Sequence, residues 1–247
     1  MAVEVEFLGA GAGPAVLQRS DAPLVVDLTF EENAPQVVAE LEDRRPGPYE
    51  RWVKPAIDRV GALILIALFA PVMIGVAIAI WCQLGRPIFL RQSRVGRHGA
   101  EFSMIKFRTM TPDRRDDGPG VGYGGSDRRQ SHKSEDDPRL VPVGRRLRKW
   151  SLDELPQLFN VLRGEMSLVG PRPELASIVG HYADWQHRRH LVKPGVTGLW
   201  QITERGNGLM HERTDVDLTY ISRLSLLVDL RILLCTIPGA LGRCRGA

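Results

Sequence analysis

The sequence has little from which to build a disulfide framework or a zinc ribbon: Cys82, Cys235 and Cys244 are an odd set with no C-x-x-C pair. That usage fits a reducing, cytosol-facing environment. Met1 to Leu8 carries Glu4 and Glu6 where a secretory signal has basic residues and a long apolar core, so membrane attachment is expected from inside the chain. His181, His187, His190 and His211 show no H-x-x-x-H or H-E-x-x-H spacing, which leaves no histidine metal motif. Gly9, Gly11 and Gly13 lack the G-x-G-x-x-G spacing, and Pro14 follows at once with no βαβ unit, which argues against a dinucleotide loop. No recognised nucleic-acid-binding fold or aromatic stacking set is present, so no nucleic-acid partner is expected. There is no internal repeat.

What is present begins with a run of 26 residues, Val60 to Gly85, without a single charge. It is long enough to reach across a hydrocarbon core of ~30 Å, and it lacks the polar stripe of a helix in a soluble core. Pro71, in its middle, removes a helix hydrogen bond and kinks or breaks the helix there. Basic residues stand on both sides: Arg44, Arg45, Arg51, Lys54 and Arg59 before, Arg86, Arg91, Arg94 and Arg97 after. The positive-inside rule therefore gives no orientation, and a hairpin and a span are both compatible with the residues.

The 247 residues, 43% of them hydrophobic, suffice for a core outside that run. The net charge of +4 is modest, but Lys and Arg bunch at 86–97, 108–115 and 139–149, which predicts local surfaces for anionic partners. Short strands are predicted at Val3 to Leu8 and Pro23 to Phe30, inside an accessory segment of 1–50. A hairpin is predicted from Pro87 to Arg91 and Glu101 to Phe107, followed by a polar, Gly-rich loop from Thr111 to Pro138.

Leu155, Leu158, Phe159 and Leu162 fall at i, i+3, i+4 and i+7, so Asp153 to Arg163 reads as an amphipathic helix ending before Gly164. Its start admits two readings: a Ser151-x-x-Glu154 capping box, or Asp153 as N-cap with Pro156 in the first turn. Either way two adjacent carboxylates sit at a helix N-terminus, where the dipole favours an ionised Asp153 that can act as a nucleophile and free N–H groups can hold a phosphate. Simple capping explains the same residue types. Arg145, Arg148 and Lys149 upstream, and Arg172 between Pro171 and Pro173, supply the cations that a pyrophosphate and a divalent metal beside a carboxylate pair require.

Asp137-Pro-Arg-Leu, Val143-Gly-Arg-Arg-Leu-Arg-Lys and the unbroken Ser151-Leu-Asp-Glu-Leu-Pro-Gln-Leu-Phe-Asn-Val-Leu-Arg-Gly-Glu-Met-Ser-Leu-Val-Gly-Pro-Arg-Pro-Glu174 closely resemble the bacterial sugar transferase family. These are small monotopic polyprenyl-phosphate phosphoglycosyl transferases. Lys106-Phe-Arg-Thr-Met110, Lys193-Pro-Gly-Val-Thr-Gly-Leu-Trp-Gln201 and Tyr220 to Thr236 extend the resemblance from about Lys54 to the last helix.

The resemblance implies a mixed α+β fold, mainly helical, with a re-entrant helix–break–helix at 51–86 and a cytosolic catalytic domain with amphipathic interfacial helices at 87–247. Pro71 matches the break, although Ala70 stands where relatives usually have a small hydroxyl residue. It implies that Asp153 attacks a UDP-sugar, expels UMP and forms a phosphosugar-aspartyl intermediate that polyprenyl phosphate then resolves. Glu154 would assist with Mg²⁺ or proton removal, while Lys106, Arg148 and Arg172 organise phosphates; Arg145 is a further candidate phosphate ligand from the residues alone. Asp58 matches a position near the membrane boundary, with a surface ion pair as the alternative reading. The Lys193-Pro194-Gly195 loop resembles a segment that shapes the nucleotide or sugar pocket, and Leu224 to Leu233 suggests an interfacial helix. The implied setting is the cytoplasmic face of a bacterial inner membrane, at the first step of exopolysaccharide or related glycan synthesis, with membrane lipids as neighbours and a homodimer left open. The rival is a membrane-tethered scaffold whose basic surface binds lipid or nucleic acid.

Overall fold

The computed structural model describes residues 38–41, 44–111, 141–203 and 213–240. The strands expected in the first 37 residues and the polar loop at 112–138 lie outside them. A π-helical turn, Tyr49–Val53, runs into α1, Lys54–Leu84, so the uncharged run up to Leu84 lies within one helix of 31 residues, about 47 Å at 1.5 Å per residue. Pro71 lies inside it and has no N–H to offer the carbonyl of Ala67. Gly85 ends the helix at φ 66°, a backbone region that glycine reaches without the Cβ penalty.

β1, Phe89–Val95, pairs antiparallel with β2, Glu101–Phe107, in the register Phe89 to Phe107 and Val95 to Glu101. The second strand has the expected bounds; the first begins later and runs four residues past Arg91. There follow α2, Pro142–Lys149; a 3₁₀ turn, Leu152–Glu154; α3, Gln157–Arg163; β3, Ser167–Val169; α4, Ala176–Val179; and a 3₁₀ segment, Asp184–Leu191. β4, Gly195–Thr197, lies parallel to β3, and α5, Leu199–Thr203, α6, Thr214–Ser222, and α7, Leu226–Ala240, complete the described chain. The expected character is therefore met: mainly helical, with two small two-stranded sheets among the described residues.

Both halves of α1 pack on this same body. Ala62, Leu65 and Ile66 join a core with Leu158, Val161, Leu168, Trp200 and Ile221. Met73, Val76 and Ile80, beyond the proline, join a second cluster with Phe107, Leu147 and Phe159. The first half is also tied by buried polar groups. Lys54 Nζ meets Asp229 Oδ2 of α7 at 2.6 Å, and Tyr49 and Tyr220 donate to the same carboxylate at 2.7 Å each. Asp58 accepts hydrogen bonds from Ser167 Oγ and the Leu168 N–H, both at 3.0 Å. Asp58 is thus a buried acceptor holding β3, and the surface ion pair considered from sequence is not what forms: Lys54 approaches it only to 4.0 Å, inside the protein. At the other end the Arg108 guanidinium donates to the carbonyls of Leu84 and, at 2.9 Å, Gly85.

The opposite face of α1 is apolar and bare. Leu63, Ile64, Leu68, Ile74 and Ile78 are each more than half exposed, and Trp52 and Trp81 flank them. Among the described residues one helix is long and apolar enough to cross a membrane, and most of its apolar stretch is not buried against the protein. α7 repeats the pattern, with Val228, Asp229 and Ile232 buried and Leu226, Leu227, Leu230 and Leu234 outward, the amphipathic division expected of an interfacial helix.

Asn160, on α3, fastens that helix to the hairpin. Its Oδ1 accepts from the Ile105 N–H at 3.0 Å, and its Nδ2 donates to the Ser103 carbonyl at 2.8 Å and to Glu165 at 2.7 Å. The side chain is fully buried and every hydrogen-bonding group on it is used, which sets the acidic turn in register with β2.

Candidate active site

The turn that carries the two acidic residues is not a capped helix start. Ser151 stands at φ 55°, in the left-handed region, and makes no side-chain cap; neither does Pro156 at the entry to α3. The capping-box and N-cap readings both fail here. Pro156 delays the α-helix, Leu152–Glu154 winds as 3₁₀, and the Glu154 carboxylate turns toward side chains instead of backbone N–H groups.

Glu154 is clamped. Arg172 donates NH2 to Oε1 at 2.6 Å and NH1 to Oε2 at 3.3 Å, and Lys106 Nζ, from β2, reaches the same Oε1 at 2.9 Å. Burial pushes the Glu154 carboxyl up, but Arg172 and Lys106 together outweigh it and hold the group well below the usual carboxylate range. Arg172 is correspondingly raised, chiefly by Glu154, and Lys106 is lowered by burial although Glu154 opposes the shift.

Asp153 differs from its neighbour in its partners and in the direction of its shift. Among the described residues it has no hydrogen-bond or ion-pair partner. Burial pushes its carboxyl up, Glu154 pushes it further, and Lys106, Arg148 and Arg172 pull it back. The dipole-stabilised, low-pKa Asp153 expected from a helix N-terminus is corrected accordingly: the 3₁₀ turn is short, and desolvation beside a second carboxylate prevails. The outcome is a raised, unpartnered carboxylate in a field of three cations, a more basic nucleophile than a capping aspartate.

Lys106, Arg148, Asp153, Glu154 and Arg172 are therefore brought together. Arg148 reaches the site from α2, with Nε held by Thr109 Oγ1 at 3.1 Å and NH2 against Met110 Sδ at 2.8 Å. Gly144 makes this approach feasible, since a Cβ there would lie 2.1 Å from the Thr109 carbonyl oxygen. Arg145 stays exposed on the same helix, with no hydrogen bond or ion pair to either carboxylate.

The residues that hold Arg172 in place were not foreseen. Arg189, fully buried, donates NH2 to the Arg172 carbonyl at 2.8 Å and lies 2.6 Å from Asp217 Oδ2 on α6, with the Tyr182 hydroxyl against its other amino group. The only signal in the sequence is Arg189 itself, in a run of polar residues where nothing marks one arginine as internal. Glu174, also buried, faces Arg94 at 3.8 Å, and its carbonyl accepts from the Val95 N–H at 2.9 Å, joining the Arg172 segment to the hairpin. The Lys193-Pro194-Gly195 loop supports this segment from behind: Gly195 N–H donates to the Pro171 carbonyl at 2.8 Å. A Cβ on Gly195 would lie 2.1 Å from Gly170 N, so the close backbone contact demands glycine.

A metal finds limited protein ligation. Among the described residues no three His, Cys, Asp or Glu side chains converge. Asp153 and the loosely held Oε2 of Glu154 are the acidic oxygens on offer. Magnesium keeps several waters and commonly takes only one or two carboxylates beside substrate phosphates, so the chemistry of these oxygens is compatible with that ion.

Residues 49–243 match the model of the bacterial sugar transferase family. The uncharacterized sugar transferase EpsL of Bacillus subtilis is 37% identical over 185 residues, covering 75% of this chain and 85% of that protein. The UDP-glucose:undecaprenyl-phosphate glucose-1-phosphate transferase of Caulobacter vibrioides is 42% identical over 196 residues, covering 76% of this chain and 69% of that one. An undecaprenyl-phosphate galactose phosphotransferase of Salmonella typhimurium is 33% identical over 227 residues, covering 88% of this chain; the chain spans 46% of that relative's length.

Proposed function

The chain belongs to the bacterial sugar transferase family and is a transferase, and we propose that it moves a sugar 1-phosphate from a UDP-sugar to a polyprenyl phosphate through a covalent intermediate on Asp153. The observation that carries this reading is the division of labour in the acidic pair: Glu154 is clamped by Lys106 and Arg172, while Asp153 has no partner among the described residues.

In the first step an Asp153 carboxylate oxygen attacks the phosphorus attached to the sugar. The bond from that phosphorus to the bridging oxygen breaks, and UMP departs with the electron pair. The product is a mixed anhydride of Asp153 and the sugar phosphate. In the second step an oxygen of polyprenyl phosphate attacks the same phosphorus, the bond to Asp153 breaks, and the carboxylate is restored beside a polyprenyl diphosphate sugar.

The chain's own contribution is charge and alignment. A carboxylate cannot approach an anionic pyrophosphate unless its charge is offset, and Lys106, Arg148 and Arg172 converge there from three separate elements. Arg172 and Lys106, pre-oriented by Glu154, are placed to share their donors with phosphate oxygens when substrate enters. Asp153 and Glu154 Oε2 would hold magnesium, which supplies further neutralisation of the phosphates. Glucose, galactose and N-acetylgalactosamine all occur in the relatives' names, so the donor is assigned only as a UDP-linked hexose or N-acetylhexosamine.

The membrane placement follows from α1. A straight span would carry its far end across the bilayer, away from the domain holding its near end. Here Lys54 and Asp58 at one end and Leu84 and Gly85 at the other are bound to the same body. This supports a re-entrant element whose bare apolar face lies in lipid while both flanks stay on one side, with Pro71, where α1 lacks a backbone hydrogen bond, as the place where it would bend. UDP-sugars, together with a cysteine set that offers no disulfide framework, suit the cytoplasmic face of the inner membrane, where the product would initiate an exopolysaccharide or related glycan.

The test is UMP release from a panel of UDP-sugars by the detergent-solubilised protein, with polyprenyl phosphate and Mg²⁺, repeated with chelator. Release that requires both lipid phosphate and metal for turnover supports the assignment; no release from any donor overturns it.

A further inference from the structure

A second cationic site lies at the base of α1. Arg45, Arg51, Arg97 and Lys193 line a cavity of about 500 Å³ together with Glu50 and Pro55. Of the described lining residues only Glu50 is acidic, and it is already committed to Arg44 at 2.7 Å and to Arg97 at 3.8 Å. Burial lowers the Lys193 ammonium, and Arg59, Arg97 and Lys54 lower it further while the Asp58 carboxylate opposes them, as expected where like charges outnumber the opposite one. Part of the set has structural work: Arg97 Nε donates to the Leu191 carbonyl at 3.1 Å, and Arg59 and Lys193 approach Gly164 at the C-terminus of α3. Arg45 has no such contact among the described residues and Arg51 lies over the Trp52 ring at 5.4 Å; both are exposed and line the cavity.

Position decides between occupants. Gly164 ends α3, whose seven residues span about 10 Å, and the turn carrying Asp153 lies beyond the opposite end of that helix. An anion held here is therefore at least a helix length from Asp153 and is not the reacting phosphate. Pro55, in the cavity wall, belongs to the first turn of α1, and Trp52, Val53, Ile57 and Val60 beside it are exposed apolar residues. Basic residues directly below a bare apolar helix face, with a Trp between them, are placed at the depth of lipid headgroups.

We propose that this cavity is a binding site for the phosphate headgroup of an anionic phospholipid, distinct from the catalytic turn, which sets the depth and tilt of the enzyme on its membrane. The proposal rests on the membrane placement of α1 and not on the transfer chemistry.

The test is flotation of the full-length protein with phosphatidylcholine vesicles, with and without phosphatidylglycerol. The wild type is compared with Arg45→Gln/Arg51→Gln and with a charge-matched control, Arg91→Gln/Arg146→Gln, whose sites are exposed and lie outside the cavity. The cavity variant is expected to lose about tenfold or more of the affinity gained from phosphatidylglycerol, at roughly fivefold per charge, and the control to stay within about twofold. All three should float equally on neutral vesicles. Equal losses in both variants, or none in either, would reduce the cluster to general surface charge and overturn the proposal. Abolition of the phosphatidylglycerol effect by inorganic phosphate at constant ionic strength would make it a free-anion site and overturn it likewise. Failure of any protein to float on either vesicle would remove the membrane placement, and the proposal with it, while leaving UMP release intact as a separate readout of the catalytic assignment.

Discussion

Glu154→Gln separates the clamp from the proposed nucleophile, Asp153. The substitution keeps the shape of the side chain and removes its charge, so Lys106 and Arg172 lose the carboxylate they share at 2.9 and 2.6 Å. Hydrogen bonds to charged groups contribute about 1.5–3 kcal/mol each. The glutamine carbonyl retains one acceptor, and the Lys106 and Arg172 side chains keep 15% and 29% of their exposure, so water offsets part of the loss. The net cost at neutral pH should be about 2 kcal/mol, a fall in Tm of roughly 4–8 °C for a chain of this size.

The pH dependence has a definite sign. The folded-state carboxyl of Glu154 lies well below its unfolded value of about 4.3, so its stabilisation is complete above that value and is lost as pH falls toward the depressed one. Wild type and variant should therefore converge in stability under acid conditions. Catalysis should show a second sign. Glu154 helps to raise Asp153, so removing its charge should shift the acidic limb of adduct formation to lower pH, while loosened phosphate ligands reduce the rate roughly 10- to 100-fold. Thermal melts across pH, and single-turnover rates with a UDP-sugar, read the two effects. Equal stability at neutral pH, or an acidic limb that does not move, would refute the clamp.

Asn160→Ala should cost about 3 kcal/mol in chemical denaturation, because it strands the buried Ile105 N–H and frees the hairpin from α3. Gly195→Ala should cost at least about 3 kcal/mol, since a methyl 2.1 Å from Gly170 N must part β3 from β4; limited proteolysis would reveal the loosened Arg172 segment. Lys54→Met should destabilise by about 3–5 kcal/mol in the same denaturation assay, leaving Asp229 buried with only the Tyr49 and Tyr220 hydroxyls as donors, whereas Lys54→Arg should recover part of the loss.

How much of this was legible in the sequence depended on how local each feature is. The uncharged run announced α1, and the 3.6-residue spacing of Leu155, Leu158, Phe159 and Leu162 announced α3, because burial on one face leaves a periodic trace. The catalytic set came from resemblance more than from helix grammar. Grammar alone favoured capping, and it failed because Ser151 adopts positive φ and Pro156 postpones the helix, both consequences of packing. Arg145 and Arg148 look equivalent three residues apart on α2, yet only Arg148 is held by Thr109 and acts electrostatically on Asp153, a distinction made by the segment that follows β2. Arg189 with Asp217, Lys54 with Asp229 and Asn160 with Ile105 join positions far apart in the chain. Such pairs leave no periodic trace in either segment and appear only once the fold brings them together.

The central claim is that Asp153, and no other residue, carries the sugar phosphate. Intact-protein mass spectrometry of the solubilised enzyme with Mg²⁺ and a UDP-sugar, without lipid acceptor, tests it beside Asp153→Asn. Asp153 has no partner among the described residues and is crowded by Glu154, so the variant should melt at or above the wild-type temperature. The account predicts a sugar-phosphate adduct on wild type, mapped to the peptide containing Asp153 and discharged by polyprenyl phosphate, and none on the folded variant. An adduct that persists on Asp153→Asn, or one that maps to another residue, would contradict it.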